Sequence, residues 1–66
     1  MSDFAIVNHG STVQFTPLTA EARQWVGNNL TLESWQWLGK SFVIDHRFAD
    51  PIIGGIFDNG FTIRSN

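Results

Sequence analysis

The chain is 66 residues long, with six acidic and four basic side chains for a net charge of −2, six phenylalanines, three tryptophans and no cysteine. That length allows one domain, and a domain so short buries only about 60% of its unfolded surface. The aromatic supply excludes a disordered chain, the missing cysteine excludes a disulfide framework and thiolate metal sites, and the scattered bases (Arg23, Lys40, Arg47, Arg64) form no cationic stripe for direct nucleic-acid binding.

Met1-Ser2-Asp3 is not basic and no long apolar run follows, so neither a secretory leader nor a membrane span is expected. Residues 4–7 and 12–16 are β-rich runs separated by the turn formers Asn8-His9-Gly10-Ser11, which is a hairpin signal. Val13 and Phe15 alternate with Thr12, Gln14 and Thr16, the period of a half-buried strand, and Pro17 ends that strand. Thr19 suits a helix N-cap with Glu21 in the first turn, and Ala22, Trp25 and Val26 fall on one helical face. Gly27-Asn28-Asn29 then predicts a stop, so the first helix is expected over residues 20–27.

Residues 30–38 fit neither period cleanly. Gly39-Lys40 resembles a turn, and Ser41–Asp45 reads as a central strand that can extend backward through Trp35 and Trp37. Asp50-Pro51 marks a helix start, with Asp50 as N-cap and Pro51 at the first helical position. Ile52, Ile53, Ile56 and Phe57 form its apolar face, and Asn59-Gly60 closes it with a left-handed cap. Gly54-Gly55 destabilises such a helix by about 2 kcal/mol relative to two alanines. Close packing on the sheet accounts for the pair, and a hinge or a partner's close approach is the other reading. Residues 61–64 form a last strand.

The expected fold is α+β, a two-layer sandwich of order ββαβαβ. Its sheet is four-stranded and mostly antiparallel, with two short helices on one face and a parallel β-α-β unit from Phe42 through the second helix to Ile63. The core face carries Phe4, Ile6, Val13, Phe15, Phe42, Ile44, Phe61 and Ile63. The outer face carries Ala5, Val7, Thr12, Gln14, Thr16, Val43, Thr62 and Arg64.

Tests for chemistry are negative. His9 and His46 have no metal-ligand spacing. Ser11 or Ser41 with His46 and Asp45 lacks a nucleophile elbow. Gly54-Gly55 lacks the remaining glycines and the lysine of a phosphate loop. No enzyme, catalytic residue, cofactor or metal is therefore expected. In Asp45-His46-Arg47-Phe48-Ala49-Asp50 the simple reading is capping with an Arg47–Asp50 pair, while Phe48 anchors the start of the second helix in the core. The other reading is a polar contact surface. If Trp35 and Trp37 lie in one strand they point the same way, and one side of the pair is core. Otherwise at least one ring is exposed, beside Glu33 and Gln36, as interface material.

His9-Gly10-Ser11, Thr16-Pro17-Leu18-Thr19, Ala22 with Trp25, Asp45-His46-Arg47-Phe48 and Asp58-Asn59-Gly60 resemble a family of very short, mostly uncharacterised proteins of bacterial genomes, prophages and other mobile elements. The family pattern has Glu at Asp45, Tyr at Phe48 and Asp-Gly at Asn59-Gly60, and it transfers no catalytic residue. In size and class the chain also resembles anti-CRISPR proteins. The resemblance implies a cytoplasmic protein of a bacterial host cell that binds and inhibits a host protein complex, most concretely a CRISPR-Cas effector, with partial DNA mimicry by acids. The expected partner surface is Glu33, Trp35, Trp37, Asp45, Asp50 and Asp58. The alternative is a small structural or homodimeric module, with monomer and homodimer both open.

Overall fold

The computed structural model describes residues 2–65. Strands β1 (Phe4–Asn8) and β2 (Thr12–Pro17) form the expected hairpin. Asn8 Oδ1 accepts from the Gly10 N–H, and Gly10 takes φ +89°, a conformation open to glycine, so the turn is made by the residue types the sequence supplies there. Helix α1 spans Ala20–Asn29, with the Thr19 hydroxyl accepting from Ala22 N–H at its start. It runs two residues past the expected stop, since Gly27 keeps a helical backbone and Leu30 forms the cap.

A short 3-10 helix, Ser34–Gln36, leads into β3 (Trp37–Leu38), which pairs antiparallel with β4 (Ser41–Asp45). The Trp segment is thus not a backward extension of β4. Gly39 at φ +64° turns the chain, and Trp37 folds back as the register partner of Phe42. A second 3-10 helix, His46–Phe48, precedes α2 (Ala49–Asp58) and then β5 (Ile63–Ser65). The α2 C-terminus is a Schellman cap: Phe61 N–H donates to Ile56 carbonyl, Gly60 N–H donates to Phe57 carbonyl, and Gly60 has φ +80°.

The protein is α+β, as expected, but the sheet is five-stranded and mixed, in the order β3-β4-β2-β1-β5. β5 pairs parallel with β1, aligning Ile63 with Phe4. It runs in the same direction as β4 without pairing with it. β4 is flanked by β3 and β2, so a strand arriving from α2 meets an available edge at β1.

The core face is the one the alternation marks. Phe4, Val13, Phe15, Phe42 and Ile44 are buried against Ala22 and Val26 of α1 and Ala49 and Ile56 of α2, with Ile6, Phe61 and Ile63 packed around them. Phe15 and Phe42, register partners, stack with centroids 5.2 Å apart. Phe4, Trp25 and Phe61 meet edge to face at 5.8–6.2 Å. Gly55 opens the space for this trio, since a Cβ there would lie 3.3 Å from Trp25 Cζ2. Gly54 has open space around it, so close packing explains one glycine of the pair. Phe57, placed on the apolar face by its spacing, is instead 58% exposed; the helix buries Ala49 and Ile56. Among the described residues no helix is long and apolar enough to cross a membrane.

Candidate protein-binding surface

The second 3-10 helix is built on Asp45. Its carboxylate accepts from the Arg47 N–H at 3.0 Å and grips the Arg47 guanidinium through Nε (3.0 Å) and Nη2 (2.9 Å). The guanidinium hydrogen bonds hold the Asp45 carboxyl below its ordinary 3.8, at about 2, with the Arg47 N–H adding to the effect. Asp45 therefore caps the 3-10 helix, the following α-helix has Phe48 at its N-cap position with no side-chain cap in place of the expected Asp50, and Arg47 pairs with Asp45 rather than Asp50. The helix begins four residues after Asp45, with Asp50 and Pro51 inside its first turn.

This turn throws Phe48 outward. Its ring is 61% exposed, a correction to its expected place in the core, and the Arg47 guanidinium lies 5.6 Å from its centroid. On the facing side, the Ser34–Gln36 turn is pinned by Gln36: Oε1 accepts from Glu33 N–H at 2.8 Å and Nε2 donates to Val43 carbonyl at 3.3 Å. With Gln36 turned toward β4, Trp35 points away from the fold and is 73% exposed. Trp35 and Phe48 line a cleft of about 330 Å³ over Thr12, Val43 and Asp45.

Of the six residues expected at a partner surface, Trp35 and Asp45 share this cleft, with Glu33 at the foot of the turn that presents the tryptophan. Trp37 does not face the same way as Trp35. It starts β3, packs edge-on to Phe42 at 5.4 Å, and lines a separate cleft of about 410 Å³ with Pro17, Arg23 and Lys40. Asp50 borders a third cleft, about 600 Å³, between α2 and the sheet, floored by Ile6, Val13, Ile53, Phe57 and Ile63. Asp58 ends α2, exposed and in none of these clefts. Phe48, which the sequence places in the core, lines this cleft as well, and Arg47, read within the polar Asp45–Asp50 stretch, holds the Asp45 carboxylate beside it. The signal available for Phe48 was its position inside a run of charged residues.

Two of the other polar groups tested for chemistry are hydrogen-bonded elsewhere. His9 Nε2 and Gln14 Oε1 lie 2.9 Å apart, and the buried Ser41 hydroxyl bonds Thr16 Oγ1 at 2.7 Å. No group of three or more His, Asp or Glu among the described residues is arranged to hold a metal. A scan against protein-family models finds no matching family, and searches of curated proteins and of solved structures find no match.

Proposed function

We propose that this chain is a non-catalytic protein-binding module whose partner surface is centred on Trp35 and Phe48. The supporting observation is the pair of rings, 73% and 61% exposed, lining one cleft beside an ordered Asp45–Arg47 pair. Isolated apolar exposure is ordinary on a folded surface, but two large rings around a shared cleft have the composition of an interface centre. Holding Trp35 and Phe48 on braced turns lowers the ordering penalty of association.

In its sharper form the module is a phage or mobile-element protein that binds a host protein complex in the bacterial cytoplasm and inhibits it, a CRISPR-Cas effector being the most concrete target. The resemblance of its short motifs is what supports that form. The acids contribute less to it: Asp45 is neutralised by Arg47, and Asp50 and Asp58 stand apart from the aromatic cleft. An aromatic anchor is therefore favoured over phosphate mimicry. The test is capture of a partner complex from bacterial lysate with wild-type, Trp35→Ala and Phe48→Ala baits, followed by an effector-inhibition assay on the same proteins. Loss of capture and inhibition by at least about tenfold in both variants supports the reading. Undiminished inhibition by the folded variants overturns it. Sedimentation tests the homodimer alternative: self-association abolished by Trp35→Ala assigns the same surface to a second copy.

A further inference from the structure

Trp37 carries a second surface, independent of the Trp35–Phe48 reading. Its cleft, about 410 Å³, is lined by Pro17, Arg23, Trp37 and Lys40. The composition is unlike the rest of the molecule. Two of the four basic residues of a chain with net charge −2 meet here with no acid in the lining. Arg47 is held by Asp45, whereas neither Arg23 nor Lys40 has a carboxylate within ion-pair distance among the described residues. Unpaired cations lining a cleft with Trp37 and Pro17 complement a ligand that carries both negative charge and an apolar group.

The backbone narrows the class of anion. A compact phosphate is normally cradled by open N–H groups at a helix start or glycine-rich turn. Here Pro17 has no N–H, the Trp37 N–H donates to the Ser34 carbonyl, and the Thr19 hydroxyl covers the Ala22 N–H at the start of α1. The lining contributes two side-chain cations beside an indole and a proline ring. Carboxylates beside an apolar side chain match that pattern. We propose that this cleft binds an acidic peptide segment, an apolar side chain resting on Trp37 and Pro17 and flanking carboxylates meeting Arg23 and Lys40.

The three indole N–H resonances give a direct readout, because Trp25, Trp35 and Trp37 sit in different environments. The probe is the peptide acetyl-Glu-Glu-Phe-Asp-Glu-amide, titrated into the full chain beside its Gln/Asn counterpart and inorganic phosphate. The acidic peptide is expected to shift the Trp37 resonance and leave Trp35 in place. Affinity should fall at least about tenfold in Arg23→Glu and Lys40→Glu, and weaken as salt rises from about 50 to about 300 mM. Both substitutions fall on exposed positions, so dispersed spectra are expected to persist. No Trp37 shift at about 1 mM peptide (an affinity too weak to count as a site) overturns the proposal. So does equal binding of the uncharged counterpart, undiminished binding by the folded variants, or phosphate binding as tightly as the peptide. A shift confined to Trp35 assigns the peptide to the other cleft and overturns it as well.

Discussion

The three tryptophans divide the molecule's labour between core and surface. Trp25 packs on Phe4 and Phe61 and joins the core; Trp35 touches little. Trp25→Ala is expected to lower stability by about 3–5 kcal/mol, while Trp35→Ala and Phe48→Ala stay within about 0.5 kcal/mol of wild type in urea unfolding. The Trp25 Nε1 is buried with no hydrogen-bond partner. A buried unsatisfied donor costs about 1–3 kcal/mol, so Trp25→Phe removes that burden while keeping a ring between Phe4 and Phe61. Its loss should be at least about 1 kcal/mol smaller than that of Trp25→Ala, and equal losses would show that a phenyl ring does not replace the indole between Phe4 and Phe61.

At the scale of elements, the adjacent glycines of α2 make opposite predictions. Gly54 faces open space, so Gly54→Ala should stabilise by about 0.5–1 kcal/mol through helix propensity and a stiffer unfolded chain. At Gly55 a methyl would meet the Trp25 ring, which Phe4 and Phe61 hold in place. Overpacking there is expected to cancel the propensity gain, leaving Gly55→Ala less stable than Gly54→Ala by about 1 kcal/mol or more in thermal unfolding. The same two residues show what was legible. A glycine pair in a helix signals an unusual contact, but which glycine makes it depends on where α2 lies over Trp25. Phe48 is the converse case. Hydrophobicity places it inside, yet the Asp45-capped 3-10 turn rotates it out.

At the scale of the whole molecule, Asp3 joins distant parts of the chain. Its carboxylate accepts from the Thr62 N–H at 3.0 Å and from the hydroxyl of Thr19, the N-cap of α1, while its own N–H donates to the Thr62 carbonyl. The start of the chain, the first helix and the approach to β5 therefore meet on one side chain. The Thr62 N–H is the main cause of the Asp3 carboxyl lying below its ordinary value. Asp3 and Asp45 are both easier to ionise in the folded state. Their contribution is present in full above the unfolded value near 3.8 and disappears as pH falls through the folded one, about 2 for Asp45. Stability of the wild type should decline between about pH 4 and pH 2, and Asp3→Asn and Asp45→Asn should each flatten that decline in urea midpoints taken across the range. Slopes identical to wild type would show that these carboxylates do not govern acid unfolding.

Period-two alternation in β2 and β4, the hairpin chemistry at Asn8-His9-Gly10-Ser11 and the caps at Thr19 and Gly60 were readable from the residues, because each depends on neighbours in the chain. So was the core face. The sheet order, the parallel pairing of β5 with β1, the exposure of Phe48 and the separation of Trp35 from Trp37 were decided by tertiary structure. These depend on which strand edges remain open and on how a bidentate Asp45–Arg47 pair shapes one turn. Strand edges are filled by residues far apart in the sequence, and periodicity carries no record of them.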